Sequence, residues 1–351
     1  LWACHLGPEL GGKGYGQLKL GLMNEILGRS GWAPTVFGCQ APDSGNAEIL
    51  AHYGTDEQKK EFLEPLLASE ISSCYSMTEP QAGSDPGLFE CRATRDGDEW
   101  VIQGEKWFSS CLRFARFAIE MAVTDPEVSV YQGTSMFLVP TDTPGIKILR
   151  HTGLGSEAEG EGNHAYVHYD EVRVPAANLL GGEGQAFAIA QTRLGGGRIH
   201  HAMRTVGSVQ RAFDMMCERA VSRTAFGKPL ARLGGNIDIV ANARMDIEQA
   251  RLLTLKTAWM MDNADPKEAR VWISMIKTAV PNVSIRIVDQ AIQMFGATGV
   301  SQDTPLAGMY MGQRTLRLAD GPDEVHRMVV GRHEFRKYME AKPVNATFRD
   351  G

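Results

Sequence analysis

The chain has 351 residues, 43% hydrophobic and 22% charged, which suits two or three globular domains with a substantial core. Its net charge of -6 argues against broad phosphate-backbone binding, so no nucleic acid is expected as a partner. No uncharged apolar run reaches the length that spans a bilayer, and no signal-peptide pattern is present, although a start at Leu1 leaves room for a preceding segment with a targeting signal.

From the N-terminus, Gly11, Gly12, Gly14 and Gly16 mark a loop after Pro8-Glu9. Helix-like apolar spacing follows over Leu18–Leu27 and Asn46–Tyr53. A helix is expected over Asp56–Leu67, with Thr55 as N-cap and Phe62, Leu63 and Leu66 on one face. From about residue 70 to 180, short aromatic and β-branched runs alternate with turn signals. Asp96-Gly97-Asp98 before Trp100-Val101-Ile102 reads as a hairpin. Phe117–Val123, Ser135–Pro140, Ile146–Leu149 and Ala165–Tyr169 are further strands. After Gly181-Gly182-Glu183-Gly184 the pattern is helical again. Val206, Val209, Phe213 and Met216 share a face, as do Leu252, Leu255 and Trp259. Pro281 should kink or split the long run Ala269–Phe295. The expected fold is α+β: an N-terminal helical domain (1–70), a central small β-barrel or sandwich (71–184) and a C-terminal helical bundle (185–351).

The six cysteines, Cys4, Cys39, Cys74, Cys91, Cys111 and Cys217, form no C-x-x-C pair, so buried thiols in a reducing compartment are expected. His200, His201 and His326 lack metal-ligand spacing with carboxylates and read as structural; no metal is expected.

The segment Tyr75–Asp85 reads as a strand end entering a loop of small residues, Thr78, Ala82, Gly83 and Ser84, whose backbone a ligand can approach. A loop of that composition alone serves equally well as polar surface. The full string Met77-Thr78-Glu79-Pro80-Gln81-Ala82-Gly83-Ser84-Asp85 is more specific, and resembles the flavin-contacting loop of the acyl-CoA dehydrogenases. The resemblance implies flavin contacts for Tyr75, Met77 and Thr78, and puts Gly83 and Ser84 where FAD and CoA meet. Gly104–Ser110 is similar to the family strand that packs on the flavin, with Phe108 at a usual Trp and Ser110 at a usual Thr. It implies a hydroxyl at Ser110 for the reactive flavin nitrogen. Arg223-Thr224-Ala225-Phe226-Gly227-Lys228-Pro229-Leu230 resembles a turn whose Arg and Phe reach the cofactor of a neighbouring subunit, implying a homotetramer or homodimer. Gln293-Met294-Phe295-Gly296-Ala297-Thr298-Gly299 resembles a cofactor-contacting helix end, with Gln293 and Gly296 as contacts.

Leu318–Arg327 aligns with the family segment that carries a glutamate base, and Asp320 takes its place, followed by Gly321. Such a base removes a proton beside a thioester carbonyl, from the face opposite the flavin, while hydride leaves the next carbon. Asp is shorter by one C–C bond, roughly 1.5 Å. Asp320 also reads plainly as a helix cap. Some relatives place the base on another helix, at the position of Gly197, where no carboxylate stands here. Arg198 matches a substrate-pocket position, and Gly195-Gly196-Gly197 could open space for a bulky acyl chain.

The resemblance implies an FAD enzyme that oxidises an acyl-CoA to the 2-enoyl-CoA and passes electrons to an electron-transfer flavoprotein. It implies a cytoplasmic place in a bacterium, or the mitochondrial matrix or peroxisome in a eukaryote. Two alternatives stay open: a nitroalkane-oxidase-like flavin oxidase, which shares the fold and an Asp base, and a flavin-holding scaffold without turnover.

Overall fold

The computed structural model describes residues 4–155, 157–158 and 160–340, so the outer ends of the expected first and last domains lie outside the described residues. The chain divides into two compact units, Leu1–His200 and His201–Gly351.

The first unit opens with helices α1 (Gly16–Gly28), α2 (Ala33–Val36), α3 (Asp43–Tyr53), α4 (Asp56–Gln58) and α5 (Glu64–Leu67), the last two joined by a π-helical stretch, Lys59–Leu63. Thr55 starts the α4 segment with a capping box: its hydroxyl accepts the Gln58 N–H at 3.2 Å, and Gln58 Oε1 accepts the Thr55 N–H at 3.1 Å. Phe62, Leu63 and Leu66 are buried together, as their spacing requires.

The β-domain follows. Its strands are β1 (Ser73–Ser76), β2 (Arg92–Asp96), β3 (Glu99–Ser110), β4 (Phe117–Val123), β5 (Thr134–Pro140), β6 (Ile146–Thr152), β7 (His164–Pro175) and β8 (Leu179–Leu180). A short helix, α6 (Val130–Gly133), precedes β5. The sheet runs β6-β7-β3-β1-β4-β5-β8, with β2 pairing both β3 and β4. The β4 and β5 sequences are mostly apolar on both faces, Glu120, Thr134 and Ser135 apart, because both faces are covered. Phe117, Ile119, Met121, Met136 and Leu138 join a core with the N-terminal helices. Ala118, Ala122, Phe137 and Val139 point the other way, into a core with Trp100, Ile102, Val167 and Tyr169.

Helix α7 (Ala186–Ser222) begins in the first unit and continues into the second. The second unit then holds a two-stranded hairpin, β9 (Thr224–Ala225) and β10 (Lys228–Pro229), and helices α8 (Asn236–Asn263), α9 (Pro266–Phe295), α10 (Ala297–Val300), α11 (Leu306–Thr315) and α12 (Asp323–Glu340). The expected split at Pro281 does not occur; α9 runs unbroken through it. Pro281 withdraws one N–H from the ladder, but it is buried on a face that packs against α8, α11 and α12, and that packing outweighs the loss. Asn282 beside it turns its amide back to the Thr278 carbonyl at 2.7 Å. By length and composition alone α9 could cross a membrane, but 56% of its most apolar stretch is buried inside the protein, as in a core helix.

Candidate active site

The flavin-type loop and the Gly104–Ser110 strand, 30 residues apart in sequence, meet in one place. Strand β1 pairs with β3 so that Tyr75 lies directly opposite Ser110. One step on, the Trp107 N–H donates to the Thr78 carbonyl at 2.8 Å. Strand β3 buries Trp100, Ile102 and Lys106, all at even positions, until a bulge between Lys106 and Ser109 reverses the alternation. Ser109 then turns inward, and Phe108, at φ 53°, turns out with 42% of its surface exposed. Trp107 stacks behind it, with centroids 5.0 Å apart.

The loop itself is held from below. The Glu79 N–H donates to the Ala82 carbonyl and the Ala82 N–H to the Glu79 carbonyl, both at 3.1 Å, which closes the turn at Pro80-Gln81. The buried Glu79 carboxylate accepts the N–H groups of Glu90 at 2.6 Å and Cys91 at 3.1 Å, and the Lys106 ammonium at 2.8 Å. Gly83 and Ser84, on the outer side, are exposed.

Tyr75 is half-buried under the Arg193 guanidinium, 3.8 Å from its ring centroid. Its hydroxyl approaches the sulfur of Met77 at 3.7 Å. The Ser110 hydroxyl lies 2.8 Å from His164 Nδ1, a partner that sequence spacing did not suggest. Burial holds the His164 imidazole below its ordinary range, with Glu157 opposing.

Asp320 sits in the second unit on the turn between α11 and α12. It is left-handed at φ 56°, a conformation that costs a non-glycine residue energy, and Gly321 follows at φ 95°. The turn is held on three sides. His326 Nε2 lies 3.1 Å from the Asp320 carbonyl and its Nδ1 3.2 Å from Ser274 Oγ. The buried Lys277 ammonium donates to the Leu316 carbonyl and, at 3.3 Å, to that of Gly321. Asp323 is buried rather than part of a solvated helix start, accepting from Arg317 Nε at 2.8 Å and Asn282 Nδ2 at 2.9 Å. Although burial opposes it, these donors hold its carboxyl below the usual range.

The Asp320 carboxylate is 24% exposed, and one oxygen lies 3.1 Å from His201 Nε2. On the other side of that ring, Arg204 Nη2 approaches Nδ1 at 3.0 Å. Two of the three histidines read as structural, His201 and His326, thus contact Asp320. His201 and Arg204 at i and i+3 on a helix were the available signal; their link to residue 320 is tertiary and has none.

The remaining candidates stand on other elements. Arg223 and Phe226 occupy the β9–β10 hairpin, where Phe226 is 96% exposed at φ 49°. Gln293 and Gly296, both exposed, end α9. Arg198 is half-buried on α7. Its glycine neighbours differ: a Cβ on Gly195 or Gly197 would meet nothing within 4 Å among the described residues, whereas one on Gly196 would meet Glu48 Oε2 at 3.1 Å. The open space suggested by the triple glycine therefore exists at two positions and not at the middle one.

Cys4, Cys39, Cys74 and Cys91 are buried, and Cys111 and Cys217 partly so. Burial pushes the thiols of Cys74 and Cys91 well up, which leaves them poor nucleophiles.

Helical domain, β-domain and helical bundle, with a sheet face formed by the flavin-type motifs and a carboxylate on the bundle, describe an oxidoreductase of the flavoprotein class. Known proteins narrow this. The acyl-CoA dehydrogenase N-terminal, middle and C-terminal domain families match residues 1–70, 74–172 and 184–335. "Acyl-CoA dehydrogenase family member 11" of Gallus gallus is 48% identical over 323 residues, which cover 91% of this chain and 42% of that protein. The chain thus spans less than half the length of that relative. A Mycobacterium tuberculosis protein named "Probable acyl-CoA dehydrogenase FadE2" is 45% identical over 344 residues, covering 96% of this chain and 83% of that one. Among solved structures, the "putative acyl-CoA dehydrogenase from Mycobacterium abscessus" superposes with a TM-score of 0.92 at 47% identity, covering 96% of this chain and 84% of that chain. Butyryl-CoA dehydrogenase from Megasphaera elsdenii does so with a TM-score of 0.83 at 28% identity, covering 95% and 87%. The chain belongs to the acyl-CoA dehydrogenase family.

Proposed function

We propose that this chain binds FAD and oxidises an acyl-CoA thioester to the 2-enoyl-CoA, with Asp320 as the general base. The observation that carries the proposal is the Asp320 carboxylate itself, a partly exposed group on a turn whose backbone is held on three sides.

The first unit fits a flat heteroaromatic cofactor. Tyr75 and Ser110 face each other across adjacent strands, Thr78 is tied to Trp107, and the bulge turns Phe108 outward on the same strand. FAD, when bound, supplies the hydride acceptor. Tyr75, Met77, Thr78, Phe108 and Ser110 would hold its ring and Gly83 the part beside it, while Gln293 and Gly296 would add cofactor contacts and Arg223 and Phe226 would reach the FAD of a neighbouring subunit. A serine hydroxyl has one proton. For Ser110 to donate it to a flavin nitrogen, His164 must present Nδ1–H and donate to Ser110 Oγ. Ser110 on β3 and His164 on β7 are paired directly within the sheet, which keeps these donors in place without reorganisation.

Asp320 accepts the proton next to the thioester carbonyl: the C–H bond breaks and an O–H bond forms on the carboxylate, while hydride departs from the adjacent carbon. The Asp320 backbone N–H offers a hydrogen bond to the carbonyl as enolate charge develops. Ser84, Arg198 and Gly321 contact the acyl-CoA, and an electron-transfer flavoprotein takes the electrons. Phe226 and Arg223, displayed on an exposed hairpin, serve a neighbouring subunit of a homo-oligomer.

Anaerobic titration of the purified yellow protein with a panel of acyl-CoA thioesters tests this. Bleaching of the flavin absorbance by at least one of them, abolished in Asp320→Asn, is the expected result. Oxygen consumption with nitroethane and no bleaching by any thioester would favour the oxidase. Equal flavin reduction by Asp320→Asn and the parent would remove the assigned base.

A further inference from the structure

We propose that His201, held by Arg204, positions the Asp320 base by donating its Nε2–H to one carboxylate oxygen. The inference rests on Asp320 being the base.

The tautomer follows from donor chemistry. A guanidinium carries only donors, so the 3.0 Å approach of Arg204 Nη2 to His201 Nδ1 requires a lone pair on Nδ1. The ring proton must then sit on Nε2, the nitrogen 3.1 Å from Asp320 Oδ2. This arrangement holds only for a neutral imidazole, because an imidazolium would turn an N–H toward Arg204. Burial is the largest influence keeping His201 below its ordinary range; Arg204 and Lys277 add to it and Asp320 opposes it. Among the described residues, the charged and titratable groups that act on the ring are Arg204 on its own helix, Lys277 on α9 and Asp320 on the turn before α12, and His326 contacts the same turn.

A positioning contact matters more for aspartate than for glutamate. The turn fixes the backbone of residues 316–323 through His326, Lys277 and the Arg317–Asp323 pair. These bonds act on the backbone and do not themselves set the rotation of the short side chain at the left-handed Asp320. A longer glutamate can make up a small error in backbone placement by changing rotamer; aspartate has fewer rotamers and less reach. The bond from His201 to one carboxylate oxygen restrains the rotamer. No proton passes to His201: the substrate C–H bond breaks and the proton goes to the Asp320 carboxylate.

Three variants and one spectrum test this. His201→Phe removes the donor and keeps a ring; His201→Gln keeps an N–H donor; Arg204→Met removes the group that sets the tautomer. His201→Phe is expected to slow flavin reduction about tenfold to a hundredfold, the range a misplacement near 1 Å produces, with acyl-CoA affinity nearly unchanged. His201→Gln should restore most of the rate. In the parent, 15N resonances of the His201 imidazole should show the Nε2–H tautomer at neutral pH without any turnover. Arg204→Met should raise the pH at which that ring protonates, and the acid limb of the rate profile should move up with it. Unchanged reduction in His201→Phe, an equal loss in His201→Phe and His201→Gln, or an Nδ1–H tautomer in the parent would each overturn the proposal. Asp320→Asn separates the two readings: full activity there removes the base itself, whereas an inactive Asp320→Asn beside an unimpaired His201→Phe removes only the positioning role.

Discussion

The Lys106 ammonium lies 2.8 Å from Glu79 Oε1, and neither side chain reaches solvent. The other two donors of the ammonium go to the carbonyls of Met77 at 3.1 Å and Met121 at 2.6 Å. One buried charge therefore ties strand β3 to the loop that carries Met77 and Thr78. Replacing Lys106 with Met leaves the Glu79 carboxylate buried without its cation. Breaking a buried pair in this way costs about 3–5 kcal/mol, so urea unfolding should show a loss of that order together with weaker FAD retention. Adding Glu79→Gln to Lys106→Met should recover part of the loss; strictly additive effects would show that the two charges are not coupled.

Glu120 borders the same cluster, 3.7 Å from the Lys106 ammonium and with Cys91 Sγ donating to it at 3.4 Å. Burial raises its carboxyl to about 7, against the opposing pull of Lys106. A carboxyl raised on folding binds its proton more tightly in the native state. Its contribution to stability is therefore complete below the unfolded value near 4.5 and is lost as pH rises through about 7. Unfolding free energy should therefore fall between about pH 4.5 and about 7 in the parent, and Glu120→Gln should flatten that decline. An identical pH slope in both proteins would exclude Glu120 as its source.

Gly321 has no room for a side chain. Its φ is 95°, and a Cβ built there would stand 2.9 Å from His326 Nε2, the atom that approaches the Asp320 carbonyl. Gly321→Ala should destabilise the protein by about 1–3 kcal/mol through backbone strain and slow flavin reduction by moving the turn. Thermal melting and single-turnover reduction check both effects. A stable variant with parental reduction would show that the turn tolerates displacement.

The sequence reveals much of this fold because its signals are local. Thr55 with Gln58 announces a helix start, Asp96-Gly97-Asp98 a hairpin, and alternation places Trp100 and Ile102 inward. The bulge that exposes Phe108 is less visible, since two aromatics followed by two serines permit either alternation. Pro281 misleads because propensity says nothing of the partners that bury a helix. Asp320 is legible through its neighbours in sequence. The supports of Asp320 are not: His201 is 119 positions upstream and Lys277 is 43, and only packing brings them to one turn. Lys106 and Glu79 show the same limit, because a lysine in a strand normally reads as surface.

The triple glycine on α7 yields a final, two-sided prediction. Each glycine inside a helix costs roughly 0.5–1 kcal/mol relative to alanine, so three in succession weaken the helix unless the missing side chains matter. At Gly196 a Cβ would press on Glu48 Oε2 at 3.1 Å and Oε1 at 3.4 Å, and Glu48 in turn pairs with His5 at 3.6 Å. Gly196→Ala should therefore gain little or lose stability despite its better helix propensity. Gly197 has open space around it among the described residues, so Gly197→Ala should stabilise by up to about 1 kcal/mol. If that space accepts the acyl chain, Gly197→Phe should reduce flavin reduction by long or branched thioesters while sparing short ones. Rates across the thioester panel decide the matter: a uniform change, or none, would mean that the opening beside Gly197 is not used by substrate, and that its glycine serves the path of the helix alone.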